Sequence, residues 1–481
     1  MIMSQIPTLV SPSAQVDSQA LAAFMQAIQT LLPAERRLTD ADSLLTYGRD
    51  WTRFAEPAPS LVLLPDRVEQ VVAIVKAAHQ FRVPLVPSGG RTGLSGGAVA
   101  AHGEVVLSLE KMNRILDFNA ADRTLRCQAG TVTGQIQAFA KKQGLFYPVD
   151  FASSGSSQIG GNIATNAGGI KVLKYGLTRN WISGLTVVTG TGELLELNHG
   201  LVKNATGYDW RHLFIGSEGT LGIVVEAQVQ LTRAPLESQA LVLGVPDLAS
   251  LMQVFQHFSK LLDLSAFEFF SEAALQKVLA RSTLTRPFAS PCPFYVLLEI
   301  ELISAEQQGF ILEQFEACVE AGWVVDGVVS QNQTQFANLW ALRERISESI
   351  AEDIPFKNDI AVKISDVPAF LERIDAIVAA DYPDFETIWF GHIGDGNLHL
   401  NILKPPSLSK VEFFAQCHQV SAKIFACVQD FHGSISAEHG VGLLKKDALL
   451  YSRSAAEITL MRRIKQVFDP HHILNPGKVF D

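Results

Sequence analysis

Residues 87–100 read PSGGRTGLSGGAVA and place Gly89, Gly90, Gly93, Gly96 and Gly97 in one loop directly after the apolar strand VPLVP. Glycine lets backbone N–H groups approach an anion closely and adopt positive φ, so a loop of this composition can cradle a pyrophosphate. A second loop, SSGSSQIGGNIATNAGG from Ser153 to Gly169, is rich in small residues, hydroxyls and amides and carries no charge until Lys171. Two such loops suit one extended ligand. A third stretch, LFIGSEGTLGIVVEA from Leu213 to Ala227, brings Gly216, Gly219 and Gly222 ahead of a strand. None of the three has the G-x-G-x-x-G arrangement of a strand–turn–helix dinucleotide site, which disfavours a nicotinamide-binding fold.

Around these loops the pattern is α+β. The segments SLVLLP, VPLVP, EVVLSL, TLRCQAG, LTVVTGTGELLEL and IVVEAQVQLT read as strands, with helices over 67–81 and 133–143. An N-terminal segment, 1–54, carries Leu21, Phe24, Met25, Ile28 and Leu31 at helical spacing. Pro235 marks a boundary, and a second unit follows over 236–430. It has strands ALVLGV, FYVLLEIEL and DIAVKIS and helices near 247–262, 305–321, 334–352, 366–380 and 410–430, the pattern of an antiparallel sheet covered by helices. The last segment, 431–481, has motifs of its own and is expected to pack back on both units.

Composition narrows the function classes. With 481 residues, 47% of them hydrophobic, the chain exceeds the size of one core, and only 18% are charged. A formal charge of −10 and no dense basic cluster argue against nucleic acid. The five scattered cysteines lack a C-x-x-C pair, so neither a disulfide framework nor a thiolate zinc site is expected. The N-terminus resembles neither a signal peptide nor a transit peptide, and no apolar run reaches a membrane span. A cytoplasmic enzyme is the expectation, with peripheral contact at the inner membrane left open.

Residues 387–403, TIWFGHIGDGNLHLNIL, hold two apolar strands around the turn residues Gly394, Asp395, Gly396 and Asn397. If those four form the loop, His392 faces His399, with Cβ atoms about 4.5–5.5 Å apart. Two imidazoles at that spacing can grip a metal ion, and Asn401 shares their face. The segment SISAEHGVGLLKK, 434–446, offers Glu438 beside His439, just before an expected helix. Two histidines and one carboxylate form a catalytic set for zinc or a similar ion. The bland alternative is a salt bridge for Glu438 and a turn cap for His439. On LWALRERISESI, Arg343 and Ser347 stand at i, i+4, and Lys357 follows in PFKNDIAVKIS.

The three glycine-rich loops, in their order, resemble the FAD-binding domain of the vanillyl-alcohol-oxidase or p-cresol-methylhydroxylase (PCMH) superfamily over residues 55–235. That resemblance implies a two-subdomain PCMH-type domain with FAD contacts from Ser88, Gly89, Gly90, Arg91, Thr92, Gly93, Ser95, Gly160, Gly161, Asn162, Thr165, Asn166, Gly168 and Ile223. It also implies non-covalent FAD, since GGRTGLSGG contains no histidine. DPHHILNPGKVF resembles the superfamily's C-terminal return to the flavin, which adds Asn475. GHIGDGNLHLN followed by SAEHGVG resembles the metal-dependent D-2-hydroxy acid dehydrogenases with an FAD-linked oxidase C-terminal domain, and the D-2-hydroxyglutarate-oxidising members above all. This implies His392, His399 and Glu438 as ligands of Zn or Mn, and Asn401 and His439 facing the substrate. Arg343, Ser347 and Lys357 are carried over as the grip on a second carboxylate. Ser347 stands where Thr is expected, and the segment before Lys357 is one residue shorter.

His439 is the candidate general base, because an unperturbed imidazole titrates near working pH. D-Lactate and glycolate oxidation share both halves of the pattern. Alkyl-glycerone phosphate synthesis shares the fold without the metal set. A flavin-binding subunit of a larger electron-transfer assembly is the alternative of another class. The expected electron acceptor is an electron-transfer flavoprotein or a quinone, and the sequence allows a homodimer.

Overall fold

The computed structural model describes residues 16–52, 55–235, 237–304 and 306–481. The chain divides into two compact units, and neither is continuous in sequence. The first comprises residues through Gly168, then Leu177–Ala234 and Glu438–Asp481; the second comprises Gly169–Gly176 and Pro235–Ala437.

In the first unit a four-stranded sheet runs in the order Arg37–Leu38, Leu61–Leu63, Val105–Ser108, Leu85–Ser88, with parallel pairing among the last three. Both faces are buried, as expected where helices and loops cover a parallel sheet. Val62, Val86 and Val106 pack on one side, and Leu61, Leu63, Leu85, Val105 and Leu107 on the other. The crossover helix Val68–Phe81 buries Val71, Ile74, Val75 and Ala78, the i, i+3, i+4, i+7 stripe that made it legible. It stops where Arg82 turns left-handed, at φ 55°. Strand Leu85–Ser88 lies at the sheet edge, where Leu474 bridges Leu85: Leu85 N–H donates to Ile473 O at 2.7 Å and Asn475 N–H to Leu85 O at 2.8 Å. A five-stranded antiparallel sheet follows in the order Ile115–Asn119, Thr124–Gln128, Gly222–Gln230, Ile182–Thr189, Leu194–Leu197. The N-terminal Phe24, Ile28 and Leu32 share one core with both sheets and with Ile473 and Leu474.

The second unit is built on a seven-stranded antiparallel sheet. Its order is Asp326–Val329, Glu237–Val245, Phe294–Leu302, Leu264–Ser271, Thr387–His392, Asn397–Leu403, Pro355–Ala361. Helices Leu248–Leu261, Glu306–Glu320, Val367–Asp381 and Lys410–Asp430 fall within a residue of expectation. Two expectations are corrected, and one strand is new. The strand read as DIAVKIS starts earlier, at Pro355, because its ladder partner Asn397–Leu403 pairs with Pro355–Ala361. The helix expected over 334–352 ends at Glu344 and resumes as Ile346–Ser349, with Arg345 (φ −80°, ψ −1°) at the joint. The central strand Leu264–Ser271 had no reading in the sequence at all. All five cysteines are free and buried. Among the described residues no helix is long and apolar enough to cross a membrane.

Candidate functional site

In the first unit the two loops read as cofactor cradles touch each other. A Cβ on Gly90 would lie 2.3 Å from Ser156 O, and one on Gly89 would lie 3.6 Å from the Gln158 side chain. No described residue accepts from the backbone N–H groups of Gly90, Arg91, Thr92 or Gly93, so four successive donors are left for something else. Buried polar atoms without a hydrogen-bond partner gather on the same elements: Ser88 Oγ, Gln158 Oε1 and Asn475 Oδ1, together with Ser108 Oγ on the strand beside Ser88. A buried polar atom is normally paired. These donors and acceptors fit the phosphates and polar edges of FAD.

Other predicted contacts are partly committed to the fold. Asn162 Nδ2 donates to Thr133 Oγ1 at 2.6 Å, Thr165 Oγ1 to Gly161 O at 3.2 Å, and Asn166 Oδ1 accepts from Arg179 N–H at 3.0 Å. Gly160 lets the helix Ile159–Thr165 press on Ala129, since a Cβ there would lie 2.7 Å from Ala129 Cβ. A Cβ on Gly161 would meet nothing within 4 Å, so that position opens onto space. Gly168 closes the first unit's opening stretch. Arg91, at φ 58°, lies over the Tyr47 ring at 4.4 Å. Ile223 is buried in its strand opposite Val188. Ser95 uses its carbonyl to accept from Leu443 and Leu444. The Asn475 side chain donates to Gly97 O and Glu218 O at 2.9 and 2.8 Å.

Replacing Gly90 by alanine should push the two loops apart and leave the purified protein with a lower flavin-to-protein absorbance ratio. An unchanged ratio would remove this loop pair from the cofactor site.

The loop after Glu438 is held by residues the sequence reading missed. Glu218 accepts from Val441 N–H at 2.7 Å and Gly442 N–H at 2.8 Å; burial pushes its pKa up, and those two donors pull it back. Asp50 accepts from Gly96 N–H at 2.8 Å, tying the N-terminal segment to the first glycine loop. Glycines at positive φ, Gly440 (82°) and Gly442 (50°), replace the helix expected after His439, and a 3₁₀ turn forms only at Lys446–Tyr451. His439 Nε2 stands 3.5 Å from Glu438 Oε1. Isolated carboxylates such as Glu218 carry no motif; their partners lie over two hundred residues away in sequence.

In the second unit the hairpin forms, with a corrected register. The turn is Ile393–Gly396, so His392 pairs with Asn397 and His399 with Phe390. His392 and His399 are therefore diagonal neighbours on one face, their ring centroids 5.5 Å apart and their planes at 81°. Gly396, at φ 84°, makes this turn possible, since a Cβ there would lie 2.1 Å from Val362 O. His392 Nδ1 is 2.8 Å from Glu268 Oε1, and His399 Nδ1 is 3.9 Å from Asp359 Oδ1. Asn397 Nδ2 donates to the same Asp359 oxygen at 3.0 Å.

Asn401 is buried and shares the His399 side of the strand, with Lys357 as its register partner. Lys357 is exposed, yet the groups crowding its ammonium lower its pKa by desolvation. Arg343 and Ser347 do not share an environment: Ser347 is exposed on the short helix Ile346–Ser349, whereas Arg343 is buried. Arg343 Nη2 lies 2.8 Å from Glu268 Oε2, and its guanidinium sits 4.7 Å from the Phe390 ring centroid. That ion pair lacks hydrogen-bond alignment: Nε and Nη2 of Arg343 and Oε2 of Glu268 have no hydrogen-bond partner among the described residues.

Residues 234–479 match the family model described as FAD linked oxidases, C-terminal domain, and residues 59–198 match that of an FAD binding domain. The chain is 60% identical over 458 residues to the D-2-hydroxyglutarate dehydrogenase of Stutzerimonas stutzeri (strain A1501), covering 95% of this chain and 99% of that one. It is 35% identical over 474 residues to the mitochondrial D-2-hydroxyglutarate dehydrogenase of Danio rerio, covering 97% and 86%. Among solved structures, p-cresol methylhydroxylase with substrate bound aligns over 97% of this chain and 98% of its own, with TM-score 0.75 and 16% identity. An alkyldihydroxyacetonephosphate synthase aligns over 97% and 86%, with TM-score 0.71 and 18% identity. These last two likenesses establish the fold alone.

Proposed function

The chain belongs to the FAD-linked oxidase family, and from that membership we propose that it is an FAD-dependent dehydrogenase that oxidises D-2-hydroxyglutarate to 2-oxoglutarate with the help of a divalent metal ion. When bound, FAD supplies the acceptor for the C2 hydride, and zinc or manganese supplies Lewis acidity toward the 2-hydroxyl. His392, His399 and Glu438, which each offer one ligand atom, would hold that metal ion. His439 takes the hydroxyl proton, which with the departing hydride leaves the 2-oxo acid. Asn401 donates to the end of the substrate that lies on the face it shares with His399. Arg343 and Lys357 hold the distal carboxylate, and Ser347 stands as an outer contact. The electron acceptor proposed for the protein is an electron-transfer flavoprotein or a quinone.

The observation that carries the dicarboxylate reading is Arg343. Its buried Nε, on the edge of a guanidinium that suits a carboxylate, lacks a hydrogen-bond partner among the described residues, while Nη2 is engaged by the Glu268 carboxylate as an ion pair. A buried donor left unmade costs about 1–3 kcal/mol, a cost that a bound carboxylate removes.

The test is anaerobic mixing of the purified protein with D-2-hydroxyglutarate, D-malate, D-lactate or glycolate, with and without EDTA treatment. Fast bleaching of the flavin by D-2-hydroxyglutarate, lost after EDTA, is the expected result. Bleaching by lactate or glycolate alone would keep the metal–flavin chemistry and discard Arg343 and Lys357 as a clamp. No bleaching by any of the four acids would end the dehydrogenase reading.

A further inference from the structure

Glu268 occupies an unusual position for a carboxylate. It sits in the middle of Leu264–Ser271, a strand at the centre of the seven-stranded sheet, and it is 1% exposed. Burying an ionised carboxylate is costly unless it is paired and hydrogen-bonded. Its two oxygens are divided between two residues of different assigned roles: Oε1 faces His392 Nδ1 and Oε2 faces Arg343 Nη2, each at 2.8 Å. The contacts then close into a ring. Arg343 lies over Phe390, the Phe390 ring centroid is 5.1 Å from that of His399, and the His399 ring is 5.5 Å from that of His392.

We propose that Glu268 is a positioning residue shared by the metal ligand His392 and the carboxylate clamp Arg343, so that one buried side chain sets both metal affinity and the fit of a dicarboxylic substrate. The inference rests on the function proposed above. An ionised carboxylate can only accept, so its contact with Nδ1 places the proton on that nitrogen and the lone pair on Nε2, the nitrogen that can ligate. The other oxygen, with the Phe390 ring, holds the guanidinium flat and partly offsets its charge. A substrate carboxylate then meets an arginine already fixed in place.

Glutamine at position 268 separates the two tasks. Its carbonyl still accepts from Nδ1–H, while its NH₂ group turns a donor toward the guanidinium. Wild type, Glu268→Gln and Glu268→Ala are titrated with Zn²⁺ against a competing chelator, and KM for D-2-hydroxyglutarate is measured for each. Circular dichroism melting establishes that each variant folds.

Glu268→Ala should weaken zinc binding by about 10- to 100-fold. Glu268→Gln should hold zinc within about 3-fold of wild type and raise KM by about 10-fold, the loss of the charged partner that fixes the guanidinium. Should the alanine variant not fold, the glutamine variant decides alone. Wild-type zinc affinity in folded Glu268→Ala overturns the proposal, and so does a Glu268→Gln variant that loses zinc while keeping its KM. A wild-type protein that holds no zinc overturns the metal reading itself, and this inference with it.

Discussion

Alanine in place of His399 should slow flavin reduction by D-2-hydroxyglutarate about 10³-fold, the equivalent of roughly 4 kcal/mol of lost transition-state stabilisation. The imidazole is one of only two nitrogen ligands proposed for the metal ion, and alanine offers no substitute. FAD content should not change, because the glycine loops and their unpaired donors belong to the other unit. EDTA-treated wild type should show the same loss and recover on adding zinc, whereas the variant should not recover. Stopped-flow measurement of flavin bleaching reads both. A variant within about tenfold of wild type would remove His399 from the metal set.

The second large effect is on stability. Lys465 and Asp469 form an ion pair of 2.9 Å inside the first unit, with Asp469 0% exposed. Lys465 Nζ also donates to Thr220 O and Leu474 O, at 2.8 and 2.9 Å, and Asp469 accepts from the Ile473 and Leu474 N–H groups. Gly190 packs so tightly on this carboxylate that a Cβ would lie 2.6 Å from Asp469 Oδ1. Burial lowers the Lys465 pKa, and the charge of Asp469 and its hydrogen bond raise it. Lys465→Met strands the carboxylate without its cation and should cost about 3–5 kcal/mol, read as a lower midpoint in chemical denaturation. Lys465→Met combined with Asp469→Asn should recover part of that loss, since the amide oxygen still accepts while the buried charge is gone. A midpoint for Lys465→Met equal to wild type would mean the pair does not hold the C-terminal return in place.

How much was legible follows from what each element needed. The crossover helix Val68–Phe81 and the hairpin announce themselves by local period and turn chemistry. The turn was placed one residue late, which moves the pairing by two positions: His392 opposite Asn397 instead of His399. Because strand side chains alternate, a slip of two keeps both histidines on one face. The pair survives an error that a slip of one would have made fatal. Leu264–Ser271 gave no such signal: LSAFEFFS is mostly apolar, buried on both faces, and lacks the alternation that marks a half-exposed strand. Its one charge, Glu268, reads as surface until the sheet closes around it. Nor could local spacing tell that Arg343 is buried and Ser347 exposed, because the helix is interrupted between them by no glycine or proline. Glu218 is a brace defined by distant partners, and Asp50 reaches the glycine loop only through Gly96, 46 residues on.

The chain crosses between its units at Gly168, Gly176, Ala234 and Ala437, and that itinerary bears on how the protein is made. On a ribosome the first unit begins to form early, but its core lacks Ile473 and Leu474 until after the whole second unit has been made. Through that interval the outer edge of Leu85–Ser88, the strand leading into the first glycine loop, has no neighbour to cover it. The nascent protein therefore carries an open β-edge for most of its synthesis, and the arrival of residues 473–475 is the step that removes it.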